Sequence, residues 1–256
     1  MLIYSAHIPH SPALLRNISR SKLAIFRKTK NAIAEIADDL HARRIETIVV
    51  ITPGGRGLAK SFVVNVARRH KINLGALGDF HTSGEVPGNP ALAYRLVDKL
   101  CLNWPIKSGA AEELDAPSSA GILQLRHKES PWSVLPLNYA LLGARELYNF
   151  GAAMRDILET DNNRIALISL GDLSRTKAKY HAPGAVWDES LINALKDKKT
   201  DFILDTHLAQ ADAFHVAAHR SLAVVLGALS EINYQVDILS YQQRLGVGMA
   251  VVRFAF

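Results

Sequence analysis

The segment Leu170-Gly171-Asp172-Leu173-Ser174-Arg175 follows the apolar run Ile165-Ala166-Leu167-Ile168-Ser169, which reads as a buried strand. A carboxylate and a guanidinium thus emerge together at a strand's C-terminal end, where open α/β sheets place ligand chemistry. Asp172 suits a capping role toward backbone N–H groups, with nucleophile or ligand as the alternative. Arg175 stays protonated at any working pH, so it is excluded as a general base near neutrality. Its planar fork suits a carboxylate or phosphate. Imidazoles form a second group. His7 and His10 flank Pro9 in the turn His7-Ile8-Pro9-His10-Ser11-Pro12, and His215 and His219 stand four apart on a predicted helix. That spacing puts both rings on one face, as metal-binding helices do, with His207 two turns earlier. Finally, Gly54-Gly55-Arg56-Gly57, with Lys60 nearby, offers backbone N–H groups and cations to an anion, without the Gly-x-x-x-x-Gly-Lys pattern of a phosphate loop. No Gly-x-Ser-x-Gly elbow supports a serine hydrolase.

The elements that must position these groups alternate. Strands are expected at Met1–Ala6, Thr47–Thr52, Ser61–Val66, Leu137–Leu142, Ile165–Leu170, Val236–Tyr241 and Gly248–Phe256. Helices are expected over Ser21–Ala42, Ala91–Leu102, Leu147–Thr160, Val186–Leu195, Thr200–Gln210 and Ala211–Leu229. Phe80–Pro90 reads as a surface loop and Ala111–Leu135 as irregular. Such alternation predicts one α/β domain over residues 1–256, with a mostly parallel central sheet flanked by helices.

Composition bounds the partners. The formal net charge of +6 is concentrated in the N-terminal third, at Arg16, Arg20, Lys22, Arg27, Lys28 and Lys30, then Arg43, Arg44, Arg68, Arg69 and Lys71. Without interleaved aromatics or a binding module, these read as solvated helix faces, so no nucleic-acid partner is expected. No apolar run approaches the ~18 residues that span a bilayer, and the N-terminus does not look like a signal peptide, so no membrane partner and a cytoplasmic location are expected. Cys101 alone makes no disulfide framework and reads as a small core residue.

Pro9-His10-Ser11-Pro12, Gly171-Asp172-Leu173-Ser174-Arg175 and Ser240-Tyr241…Gly246-Val247-Gly248 together resemble the class III extradiol dioxygenases, in particular the small LigB-type proteins related to the Memo group. The resemblance covers essentially the whole chain and is strongest over residues 1–15, 47–66 and 165–256. It implies a LigB-like fold and, in active members, a ferrous ion held by two histidines and a carboxylate beside a catechol-type substrate.

Carried over residue by residue, the resemblance places the first metal ligand at His10, with His7 as a substitute in another register. The second family ligand lies in Ser-Pro-His-Gly, where this chain has Thr52-Pro53-Gly54-Gly55. A pocket-lining Asp-His pair becomes Leu114-Asp115-Ala116, and the family's Gly-Asp-Leu-Ser-His ends here in Arg175. A Ser-Tyr-Glu segment becomes Ser240-Tyr241-Gln242, and the carboxylate ligand's helix is nearest to Phe214–Ala218. Packing residues match while imidazoles and carboxylates do not.

The expected function is therefore a family member that has lost the iron chemistry, needs no cofactor, and acts as a non-catalytic binding or partner subunit. Asp172 and Arg175 would mark the former catalytic position, and Gly54, Gly55, Asp115 and Gln242 a substrate-binding rim. The partner would be a second copy or a related catalytic subunit, and the ligand a small aromatic or anionic molecule. One alternative is an active metal-dependent oxidoreductase with Fe(II) or Zn(II) on His10 with His7 or His215. The other is a small-anion binder using Arg175 and the Gly54-Gly55 turn.

Overall fold

Leu2–Ile8 (β1) and Thr47–Thr52 (β2) are almost wholly buried in the computed structural model, which describes residues 1–53, 60–126, 132–176, 181–205, 211 and 213–256. A strand buried on both faces has no polar alternation to display, and β2 is β-branched throughout. Its Ile48 and Val50 enter one apolar layer, and Val49 and Ile51 enter the other. The remaining described strands are Phe62–Asn65 (β3), Arg69–Lys71 (β4), Glu85–Pro87 (β5), Ile106–Gly109 (β6), Ser133–Asn138 (β7), Ile165–Leu170 (β8), Gln235–Arg244 (β9) and Val247–Ala255 (β10). The described helices are Arg16–Ser19 (α1), Arg27–Ala42 (α2), Pro90–Leu100 (α3), Ala116–Leu125 (α4), Ala144–Glu159 (α5), His181–Lys196 (α6), Thr200–Asp205 (α7) and Ala218–Ala228 (α8).

Eight strands form one sheet in the order β6-β3-β7-β2-β8-β1-β10-β9. Its centre, β7, β2, β8 and β1, is parallel, and the β9–β10 hairpin adds antiparallel strands beside β1. β4 and β5 make a separate ribbon. Ile33, Ile36 and Leu40 of α2 and Ile122 and Leu125 of α4 pack on one face. Leu96 of α3, Leu147 of α5, Leu191 of α6 and Leu222 of α8 pack on the other. The expected α/β domain with a mostly parallel sheet is the observed architecture. Among the described residues no helix is long and apolar enough to cross a membrane.

Local expectations fail where a short-range signal meets a tertiary one. Residues 111–135 hold α4 and the start of β7 rather than irregular chain. β7 runs through Pro136, and a proline normally marks a strand boundary. Here β7 pairs with β3 only at Leu137 and Asn138, so no ladder bond to β3 is lost at Pro136. The helix expected from Ser21 begins as a 3-10 segment, Arg20–Phe26, before α2. The helix expected over Ala211–Leu229 is interrupted before Ala218: Ala211 and Ala213 are helical, but His215 sits in a left-handed turn at φ 51°. β5 interrupts the expected 80–90 loop, and β6 was not foreseen. Cys101 is exposed just past α3, not in the core.

Candidate functional site

β2, β8 and β1 are adjacent and parallel, so their C-terminal ends share one edge of the sheet. Ile8 pairs with Leu170 and Ile51 with Ser169, which brings Pro9-His10, Gly171-Asp172 and Pro53 out at one level. α4 lies across all three ends. Ser118 Oγ donates to Thr52 Oγ1 at 3.3 Å, Gly121 abuts the Leu170 side chain, and Gln124 Nε2 donates to Pro9 O at 3.5 Å. Positions 118, 121 and 124 recur every three residues and so share one helical face.

His7 is fully buried in β1, and its protonation pattern follows from its neighbours. The Ser221 hydroxyl reaches the carbonyls of Leu170 and Ala218, so its one proton goes to a carbonyl. Ser221 Oγ must then accept from Ser169 Oγ at 2.8 Å, and Ser169 Oγ in turn accepts from His7 Nδ1–H at 2.9 Å. That leaves Nε2 as a bare lone pair, buried and without a partner. Burial, with repulsion from His10 adding, pushes the His7 pKa down to about 3. His10 is half-buried in the next turn, and its Nδ1 is likewise buried and unpartnered.

Asp172 is buried beneath the same edge. Arg175, whose side chain is half exposed, donates to its Oδ2 at 2.8 Å, while Oδ1 has no partner. The backbone of this turn is fixed on two sides. Asp172 O accepts from Ala218 N, and Leu173 N and Ser174 O bond to Gly248.

Asp188 of α6 is the residue that sequence reasoning missed. It is fully buried and accepts from Ser174 N and Ser174 Oγ, both at 2.8 Å, and from Tyr241 Oη at 3.1 Å. Burial pushes its pKa up to about 6, against the pull of those three bonds, and raises the Tyr241 phenol as well. A Cβ on Gly248 would collide with Asp188 Oδ2, so only glycine lets β10 pass this close. The one available signal was strand alternation: Tyr241 and Gln243 face the Ser174 turn, and Gln242 must face away. Gln242 indeed turns to the start of α2, where Oε1 accepts from Thr29 N and Thr29 Oγ1 and Nε2 donates to Ile25 O.

Asp115 caps α4, accepting from Ser118 N at 2.7 Å, and also accepts from Asn138 Nδ2 at 3.4 Å. With Asn65, Ser118 and Asn138 it lines a cleft of about 280 Å³ beside the end of β7. Gly54, Gly55 and His207 lie outside the described residues. His215 is exposed in its turn, whereas His219 is buried on α8 and donates Nε2–H to Ile203 O, so the two imidazoles do not share a face.

A three-ligand ferrous site does not fit these residues. His10 offers a free nitrogen, but the turn after β2 has no imidazole and one oxygen of Asp172 is held by Arg175. Among the described residues no three His, Cys, Asp or Glu side chains gather as a metal requires.

Comparisons with known proteins bear on the whole edge. A family model described as the catalytic LigB subunit of aromatic ring-opening dioxygenase matches residues 122–252. Protein CA_C1420 of Clostridium acetobutylicum is 25% identical over 264 residues, which cover 96% of this chain and 56% of that protein. The chain thus spans about half the length of that relative. An uncharacterized protein from Escherichia coli K12 shares the fold, with a TM-score of 0.69 at 18% identity over 98% of this chain and 99% of the other.

Proposed function

This chain belongs to the family of the catalytic LigB subunit of aromatic ring-opening dioxygenase, and from that premise we propose that it is a member that no longer assembles the family's iron site. It serves instead as a non-catalytic binding or partner subunit in the cytoplasm. The Asp172–Arg175 ion pair carries this reading. One oxygen of Asp172 is bonded at 2.8 Å to a guanidinium that stands where the family motif has a histidine. A guanidinium neither ligates a cation nor accepts a proton near neutrality. The turn is nonetheless kept rigid by Asp188, Tyr241 and Gly248, which suits a surface that binds without reacting. In the Clostridium relative the matched region makes up 56% of the protein and is joined to further sequence.

A competing reading, a divalent cation on an altered ligand set, draws on the unpartnered His7 Nε2, His10 Nδ1 and Asp172 Oδ1. One experiment separates the two. Metal content of protein purified without chelators, followed by anaerobic Fe(II) and Zn(II) titration, should give substoichiometric binding. Tight stoichiometric uptake that His10→Ala abolishes would overturn the proposal in favour of the altered site. Combining Gly54→His with Arg175→His should raise Fe(II) affinity by roughly tenfold, the scale on which metal-site residues act.

A further inference from the structure

α4 also walls a second cleft, on the side of Leu123 and Gln124. Leu14, Leu15, Ile33 and Leu123 give a cleft of about 310 Å³ its apolar walls, and Arg16, Lys30 and Gln124 are its polar positions. Arg16 also lines an adjoining, wider cleft of about 630 Å³ together with Asn17, Arg20 and His81. The first volume is at the lower end of the ~300–1,000 Å³ range of small-molecule sites.

The cations around these clefts are not ion-paired, although the Asp79 carboxylate, bonded to Thr82, Asn17 and His81 N, lies beside the wider cleft. Arg69, Arg95, Arg145, Arg155 and Arg253 all pair with carboxylates, but Arg16, Arg20 and Lys30 form no ion pair among the described residues. α2 begins at the same place with Arg27-Lys28-Thr29-Lys30 and no acidic residue in its first turn, and its only side-chain acceptor among the described residues is the neutral Gln242 amide on Thr29 N. A helix start already carries partial positive charge, so three cations there repel it unless an anion sits among them. Gln124 adds an independent sign of a ligand. Its Nε2 donates to Pro9 O and Ala120 O, while its buried Oε1 has no partner.

The geometry points to a binding site for a soluble organic phosphate, with the phosphate among Arg16, Arg20 and His81 and an apolar body in the Leu14–Ile33–Leu123 cleft. Guanidinium forks match phosphate oxygens two at a time, and two of them with a histidine and a lysine nearby suit a dianion better than a single carboxylate. The acceptor at Gln124 Oε1 would take a hydroxyl donor on the body of the molecule. The site goes beyond the non-catalytic reading, uses no metal, and stands or falls separately from it.

Calorimetric titration of the full chain with hexyl phosphate, inorganic phosphate and hexanol tests it. Hexyl phosphate should bind one to one and about tenfold or more tighter than inorganic phosphate, with hexanol silent. Arg16→Ala should weaken it by about tenfold, as the loss of a charge-assisted contact does. Ala34→Glu, at an exposed position on the rim of the first cleft, should abolish binding without touching the core. Equal affinity for hexyl and inorganic phosphate would overturn the site, as would indifference to both substitutions. Binding to anionic phospholipid vesicles but not to hexyl phosphate would also overturn it, in favour of a membrane surface.

Discussion

The state of His7 is set by residues far from it in sequence. Ser169 and Ser221 fix Nδ1 as the protonated nitrogen, and burial holds the ring neutral with its pKa near 3. An unfolded histidine titrates near 6.5. Between those values the unfolded chain binds a proton that the folded chain refuses, so stability present above pH 6.5 is lost as pH falls toward 3. At pH 5 the loss is about 2 kcal/mol relative to pH 7. Asp188 works in the opposite sense, because its pKa is raised to about 6 and the stability it contributes below about pH 4 is lost as pH rises through 6. His7→Gln keeps a donor for Ser169 but cannot titrate, and Asp188 is common to both proteins. Urea unfolding at pH 7 and pH 5 should therefore show an acid loss about 2 kcal/mol smaller in His7→Gln than in the parent; equal losses would mean His7 is accessible to protons. The sequence marked His7 and His10 as candidates through their turn, but not which nitrogen is free, since Ser221 enters only through the fold.

At the scale of elements, α4 was the largest surprise. Its sequence, Ala116-Pro117-Ser118-Ser119-Ala120-Gly121, is small and nearly without amphipathic contrast, so periodicity gave no helix. The start signal was present, however: Asp115 as cap with proline in the first turn. The resemblance had made Asp115 a rim residue, and the structure gives it a structural duty at that rim. Asp115→Ala should cost about 1 kcal/mol in unfolding free energy, and Asp115→Ser should restore most of it. A loss below ~0.3 kcal/mol would assign the Asp115–Ser118 bond no role in holding α4. Gln242 teaches the complementary lesson. Motif alignment picked it out, but the two-residue period of β9 gives the Ser174 turn to Tyr241 and Gln243 and leaves Gln242 to hold α2.

For the whole molecule, the alternation of strands and helices was enough to predict a parallel α/β sheet, whereas strand order was not, because pairing of β2, β8 and β1 joins segments more than a hundred residues apart. The N-terminal cations were legible as a surplus but not as a cleft, since the walls around Arg16 and Lys30 include Leu123 and Gln124, about a hundred residues away. The 310 Å³ cleft and the strand-end site therefore depend on where α4 sits, and Gly121 helps decide that. A Cβ at this position would lie 2.6 Å from both terminal carbons of Leu170, a side chain with no exposure and no room to turn. Gly121→Val should cost about 1–2 kcal/mol, overpacking being partly offset by the better helix propensity of valine. It should also weaken hexyl phosphate binding, because lifting α4 moves Leu123 and Gln124 together. Leu170→Ala alone should cost about 2–4 kcal/mol by leaving a cavity. In the double variant the valine occupies the space vacated by Leu170, so the two losses should sum to less than their separate values by at least ~1 kcal/mol. Simple additivity would mean that α4 is held in place by other contacts and that the clefts on its two sides move independently.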